Sequence, residues 1–290
     1  MPSSDGISSK YVARIQKIQP DLHIHTLVHI GEGLYNDVLI VNQNLVFRFA
    51  KHDDGVKVLA RECLLLNAIH SYVPLAIPQP FYAAHGVMAY PLVAGETFSR
   101  GLLAGMSVRS QSIVADQIGE FLKALHGIDP GCDLPPTTAP VRYQDWLRIR
   151  KEVEEKVYPL LLSYQIAWAQ ALFDGVLGDK KNFDYQPCLI HGDLGPYHII
   201  FDRSGGRLNG IIDFGVAGVG DPALDIGNLL QVYGESFVRR LYRAYPEIEG
   251  WIRRARFYAQ ALELEWALYG LSTKDPSWFV AHLGGARDIR

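Results

Sequence analysis

Cysteine is nearly absent: Cys63, Cys132 and Cys188 are the only three in 290 residues. Odd in number and far apart, they form neither a disulfide framework nor a zinc site, and they suit a reducing compartment. Also missing is any apolar run approaching membrane-spanning length. Met1–Lys10 is polar and lacks the apolar core of a secretory leader, so a cytoplasmic chain without a membrane partner is expected. Neither charge sign is in excess: 28 Lys and Arg stand against 31 Asp and Glu, a net charge of −3. That leaves no basic footprint for nucleic acid. Internal repeats and low-complexity segments are absent too. What is present is a globular composition long enough for one two-lobed domain or two modest ones.

The densest chemistry lies in Cys188–Asp202 and its continuation Leu208–Gly215. Leu189-Ile190, Ile199–Phe201 and Leu208–Ile212 are short apolar runs, and Asp202–Gly206 is a turn. The stretch reads as strand, polar loop, strand, turn, strand. The loop His191–His198 sets polar groups among buried strands, which is costly unless those groups have a use. Asp193 is followed five residues later by His198 and twenty later by Asp213, which opens Asp-Phe-Gly. Phosphoryl transfer to a hydroxyl needs one carboxylate to orient and deprotonate the attacking oxygen. It needs a second carboxylate, with a partner ligand, to hold magnesium on the nucleotide phosphates. An Asp base, a metal ligand five residues on and then Asp-Phe-Gly is the order of a kinase catalytic loop. A hairpin sets strand ends side by side, so Asp193, His198 and Asp213 are expected to converge. The bland alternative is a polar turn before a buried hairpin with a capping Asp.

His191-Gly-Asp-Leu-x-x-x-His198, Gly210-Ile-Ile-Asp-Phe-Gly215 and Gly220-Asp-Pro-Ala-Leu-Asp225 together resemble the aminoglycoside phosphotransferase family, small-molecule kinases with a protein-kinase-like fold. Most members carry Asn where this chain has His198. His at that place is similar to the aminoglycoside 2''-phosphotransferases and the macrolide phosphotransferases. The resemblance covers most of the chain and is weakest around residues 100–185. It implies an α+β, protein-kinase-like, two-lobed fold. The N-lobe, residues 1–92, would hold a small antiparallel β-sheet and one helix, and the C-lobe, residues 93–290, would be mainly helical. The implied activity is that of a nucleoside-triphosphate-dependent O-phosphotransferase acting in antibiotic resistance. Asp193 would be the catalytic base, with His198 and Asp213 as ligands of Mg2+ and ATP or GTP as the phosphoryl donor. The acceptor would be an antibiotic, an aminoglycoside first. A macrolide 2'-phosphotransferase, a metabolite kinase of the same fold and a catalytically silent binding module are the alternatives. Both aspartates are intact, which speaks against the last. A monomer is expected.

Ahead of that stretch, Lys10–Gln19 reads as a short helix stopped by Pro20, after a loose polar tail. Thr26–Ile30, Asp37–Val41 and Leu45–Ala50 read as strands, the last two joined by a tight turn at Asn42-Gln-Asn44. Gly31-Glu-Gly33 holds two of the three glycines of a kinase glycine loop. Backbone N–H groups at glycines can approach phosphates closely, although a plain hairpin turn has the same composition. Arg48 sits mid-strand where kinases place a phosphate-holding Lys, and its fork can grip phosphate in two parallel bonds. Lys51, at the strand end, is the other candidate. Val56–His70 is an amphipathic helix carrying Glu62, which can pair with Arg48. Phe81–Ala84 and Gly86–Gly95 read as two antiparallel strands. They lead to a hinge where the backbone of Pro91 and Val93 is offered to the nucleotide base, one donor short because of the proline.

Beyond Gly95 the pattern turns helical, with helices expected over 108–126, 143–158, 166–177, 226–232, 236–244 and 248–271. His126 reads as structural. Asp225 is a loop-organising or substrate-edge carboxylate, or the N-cap of the helix after it. Glu235, Glu263, Glu265 and Trp266 are the remaining candidates for acceptor binding. That is few carboxylates for a polycation, and the aromatic neighbours suit a larger, less charged acceptor.

Overall fold

The computed structural model describes residues 4–30, 35–129 and 134–273. The chain opens with α1 (Ser4–Ile18), β1 (Leu27–Ile30), β2 (Asn36–Val41), β3 (Leu45–Ala50), α2 (Asp53–Ile69), β4 (Tyr82–Ala84), β5 (Val87–Pro91) and β6 (Glu96–Thr97). Helices α3 (Arg100–Ala104), α4 (Val108–His126), α5 (Tyr143–Lys156) and α6 (Ser163–Leu177) follow. Then come β7 (Cys188–Ile190), β8 (Ile199–Asp202), β9 (Arg207–Ile211), β10 (Gly218–Gly220), α7 (Ala223–Tyr233), α8 (Glu235–Val238) and α9 (Ile248–Thr273). Two compact units result: Met1–Phe98 with Tyr197–Val216, and Ser99–Pro196 with Ala217–Arg290.

The first unit is built on an antiparallel five-stranded sheet in the order β1-β2-β3-β5-β4. Its hairpins form where the sequence supplies residues that tolerate a left-handed backbone. Asn42 and Gln43 take φ of 50° and 59° in the three-residue turn between β2 and β3, and His85 and Gly86 take 51° and 71° in the two-residue turn between β4 and β5, as tight hairpins require. One face of the sheet packs under α1, so that Tyr11 and Ile15 share a core with Leu39, Val41, Phe47, Phe49, Val87 and Ala89. This helix begins at Ser4, where the polar sequence suggested a loose tail. Helix α2 starts at a His52 N-cap with Asp53 and Asp54 in its first turn, where carboxylates favour the positive end of the helix dipole. It buries Leu59, Glu62, Leu66 and Ile69 on one stripe.

A second, three-stranded sheet, β6-β8-β9, belongs to this same unit. The boundary thus falls after Phe98 and 197–216 joins the sheet unit, where the sequence suggests 92/93 with 197–216 in the helical part. The two-residue strand β6 carries no apolar pattern of its own, yet it pairs Glu96 with Phe201 and Thr97 with Ile200.

The second unit is mainly helical. Helix α4 buries Val114, Ile118, Phe121, Leu122 and Leu125 along one face. Helices α7 and α9 lie so close at Gly227 that a Cβ there would meet the Tyr258 side chain at 2.7 Å. Trp146 is fully buried and packs edge-on against Phe257 at 5.0 Å. The short ladder β7-β10 pairs Ile190 with Gly218 and Cys188 with Gly220. An antiparallel-sheet unit and a helical unit together give the expected α+β class. No helix among the described residues is long and apolar enough to cross a membrane.

Candidate active site

In the first unit, the site begins at the middle of β3. The register Val38↔Arg48↔Met88 puts Arg48 in the centre of the sheet, and its side chain turns inward, leaving the residue 6% exposed. Nη1 donates to Glu62 Oε1 at 2.7 Å, and Glu62 is only 1% exposed on the buried stripe of α2. The same Oε1 accepts the Phe214 N–H at 3.1 Å. One carboxylate therefore ties β3 and the Asp-Phe-Gly segment to α2. Burial by itself would lower the guanidinium's pKa, but Glu62 and then Asp213 more than offset it, so Arg48 is held above the ordinary arginine value. Lys51, the other candidate, makes an ion pair with Asp37 at 3.5 Å.

Asp213 follows β9 and sits at φ +65°, a left-handed conformation uncommon in residues other than glycine. Its Oδ1 accepts from Arg48 Nη2 at 3.3 Å and from the Gly215 N–H at 3.4 Å. Its Oδ2 faces His198 Nε2 at 3.7 Å. The hairpin explains the approach. Ile199 pairs with Ile211, and the Ile212 N–H donates to His198 O at 2.9 Å, so His198 stands just before one strand and Asp213 just after the other. A carboxylate oxygen facing an imidazole nitrogen could hold a divalent cation, which would supply positive charge there. Among the described residues, no cluster of three or more such side chains is present.

The hinge segment lies in the same unit. Pro91 has no N–H, and the Leu92 N–H donates to Asn44 O at 2.8 Å. The Tyr90 phenol beside Arg48 is pushed up to about 12, mainly by burial. Val93 packs where a Cβ on Gly210 would be 2.6 Å from its Cγ1. Gly31 and Gly33 lie outside the described residues.

In the second unit, the loop after β7 carries Asp193. His191 is fully buried, and its Nδ1 lies 3.2 Å from the Asp193 N–H, which donates to it. A neutral ring accepting there carries its proton on Nε2. Gly192 turns the chain at φ +83°, where a side chain would be strained. The loop is fastened to α7 through its backbone. Asp225 Oδ1 accepts the Gly192 N–H at 2.7 Å, Oδ2 accepts the His191 N–H at 2.9 Å, and Asn228 Nδ2 donates to Gly192 O at 3.2 Å. Asp225 and Asn228, three apart, share a helix face.

His126, at the end of α4, approaches Asp225 Oδ2 with Nε2 at 3.1 Å and the Tyr245 hydroxyl with Nδ1 at 3.3 Å. Burial would raise the Asp225 pKa, but His126, His191 and the loop amides outweigh it and hold the carboxyl below its ordinary value. Asp225 is 0% exposed. It therefore organises the loop and does not face an acceptor; nor is it the N-cap of α7, a position Pro222 occupies.

The acceptor candidates fare unequally. Glu235 accepts from both Arg239 (2.7 Å) and Arg256 (2.6 Å), which hold its carboxyl down near 2. A cationic acceptor would have to displace two guanidinium groups to use it. Glu263, Glu265 and Trp266 are half-buried on α9, and Trp266 meets Tyr269 edge-on at 6.0 Å. The Glu265 carboxyl is pushed up to about 7, chiefly by burial, with Arg148 opposing and Asp193 and Asp145 adding to it.

The sequence assigns no role to Asn228, nor to Asp221 beyond its place in the Gly220–Asp225 motif. Asp221 is buried and accepts from Arg254 (3.0 Å from Nη2), from the Tyr258 hydroxyl at 2.9 Å and from the Ala223 N–H at 3.0 Å. It pins the start of α7 to α9. Its place before Pro222 and Ala223 is a helix-start signal that could have found it. No sequence pattern marks Asn228 beyond its three-residue offset from Asp225.

Residues 26–259 match the profile of the phosphotransferase enzyme family. A solved GDP and kanamycin complex of APH(2")-IIIa superposes with a TM-score of 0.83 and 28% identity, covering 94% of this chain and 96% of that one. The apoenzyme of a macrolide 2'-phosphotransferase from Brachybacterium faecium, at 20% identity, shares the fold with a TM-score of 0.73 over 97% and 99% of the two chains. An uncharacterised Bacillus subtilis protein, YcbJ, is 24% identical over 217 residues, 71% of this chain and 68% of its own.

Proposed function

The chain belongs to the phosphotransferase enzyme family, and from that premise we propose that it moves the γ-phosphoryl of ATP or GTP to a hydroxyl of an antibiotic, an aminoglycoside first. The observation that carries this reading is the Asp213 carboxylate, with Oδ1 on Arg48 and Oδ2 toward His198. That division suits a metal ligand held from behind. Arg48, backed by Glu62, offers positive charge to the nucleotide phosphates. The Val93 N–H is the hinge donor left for the base, since Leu92 uses its own on Asn44. Asp193 orients the acceptor hydroxyl and takes its proton, while His191 and Asp225 hold the backbone of its loop. Magnesium, when bound through Asp213 and His198, supplies charge neutralisation on the phosphates.

Imidazole suits first-row transition metals better than magnesium, which prefers oxygen. His198→Asn therefore keeps substantial activity with magnesium, and manganese raises the wild-type rate more than the variant's. Initial rates with each metal check this. A nucleotide-bound crystal structure with His198 far from any metal would refute the role.

The acceptor class is tested by salt and pH together. Exposed charges are screened over about 10 Å at 0.1 M salt. The Glu265 carboxyl, raised to about 7, is neutral below that value and charged above it. Affinity for a polycationic aminoglycoside therefore falls with added salt and rises as pH passes upward through about 7, and Glu265→Gln abolishes the rise. Calorimetric titration at several pH values and salt concentrations reads both. If affinity ignores salt, pH and the substitution, the macrolide reading takes over. The occupation of Glu235 by two arginines favours it, since it removes one carboxylate from the acceptor's reach.

A further inference from the structure

We propose that Arg48 is a positioning residue for the metal ligand Asp213, in addition to its charge toward phosphate; this rests on the metal role assigned to Asp213 above. The guanidinium is fixed on three sides before any nucleotide arrives. Nη1 is on Glu62 Oε1 at 2.7 Å, and Nη2 is on Asp213 Oδ1 at 3.3 Å. Nη2 also reaches Asn36 Oδ1 at 3.1 Å, with the Asn36 amide turned so that its nitrogen donates to Tyr35 O at 3.1 Å. Asn36 is itself buried. The three partners come from α2, β2 and the segment after β9, so the fork has little freedom to rotate.

The consequence falls on one oxygen. Asp213 Oδ1 is engaged by Arg48 and by the Gly215 N–H, which aims Oδ2 at His198. The Asp213 backbone is in a left-handed conformation, and these two donors help orient its side chain. A lysine in place of Arg48 keeps the charge but not the fork. An ammonium is a compact point charge on a flexible stem, and beside a buried Glu62 it would settle on that carboxylate. Asp213 would then lose the donor that orients it. The planar guanidinium, not positive charge alone, presets the metal ligand.

The substitution Arg48→Lys separates geometry from charge. Mn2+ is the probe, titrated by electron paramagnetic resonance into the full-length protein with a non-hydrolysable nucleotide, and metal-free nucleotide affinity is measured in parallel by calorimetry. Loss of a partner that orients a metal ligand typically weakens metal binding by about 10–100-fold. That loss of Mn2+ affinity is expected for Arg48→Lys, and it exceeds any loss of metal-free nucleotide affinity. Asn36→Ala should act in the same direction more weakly, and it serves if the lysine variant fails to fold. Asp213→Ala is the control. If it leaves Mn2+ binding intact, the metal role of Asp213 is wrong. If it weakens Mn2+ binding while Arg48→Lys and Asn36→Ala do not, only the positioning role is overturned. A lysine variant that loses nucleotide affinity without metal, and no more with it, also overturns it and leaves Arg48 as a phosphate contact.

Discussion

Asp193→Ala lowers turnover by about 10²–10⁴-fold, the effect of removing a general base, and leaves nucleotide affinity close to wild type. The structure makes this variant clean. The Asp193 backbone is held independently of its side chain, by the N–H on His191 Nδ1 at 3.2 Å and the carbonyl on the Gly195 N–H at 2.8 Å. Truncation therefore removes a carboxylate and leaves the loop in place. Steady-state rates with binding isotherms check the split. A variant that keeps most of its rate, or loses nucleotide affinity in step with rate, contradicts the assignment of Asp193.

Asp225→Asn produces the largest combined effect on stability and rate. Both carboxylate oxygens face donors only: the Gly192 N–H, the His191 N–H and His126 Nε2. An asparagine puts an NH2 group against one of these sets, a donor against donors. Breaking a buried ionic network by removing one partner costs about 3–5 kcal/mol. For a chain of this size that lowers the melting temperature by roughly 10 °C. The loop carrying Asp193 loosens as well, and misplacement of a reacting group by about 1 Å can cost ~10²-fold in rate. Nucleotide affinity, which the proposed function assigns to residues of the other unit, should move little.

The pH dependence has a definite sign. The Asp225 carboxyl is depressed in the folded protein. Its stabilisation is thus present above the ordinary aspartate range and is lost as pH falls through the folded value. The asparagine variant lacks that acid-side loss. Thermal melts across the acid range, with kcat at neutral pH, test both parts. A variant that melts and turns over like wild type would remove Asp225 from the account.

Much of this arrangement was legible from residue types and spacing. The short apolar, β-branched runs of β2 and β3 read as strands and Asn42-Gln-Asn44 as their turn, because both signals are local. Glu62 was legible as a partner for Arg48 because it lies on the amphipathic helix after that strand, where kinases carry the Glu of their Lys–Glu pair. What spacing alone left open shares a cause: the deciding partner is distant in sequence. Nothing near Asp225 reveals that His126, 99 residues earlier, and two loop amides occupy it. The second guanidinium on Glu235 comes from Arg256, 21 residues on, although Arg239 at four residues was a readable helical pair. The polar start of α1 reads as tail because what orders that helix is burial of Tyr11 and Ile15 against the sheet, a tertiary contact that overrides weak local propensity.

The central claim is the transfer itself. Its most direct test incubates the protein with γ-labelled ATP and GTP and a panel of aminoglycosides and macrolides, then follows the label by chromatography. The account predicts that label moves onto at least one of these acceptors with the wild-type chain, and that Asp193→Ala reduces the transfer by about 10²-fold or more. Nucleotide binding without transfer to any acceptor, or equal transfer by wild type and Asp193→Ala, would contradict it.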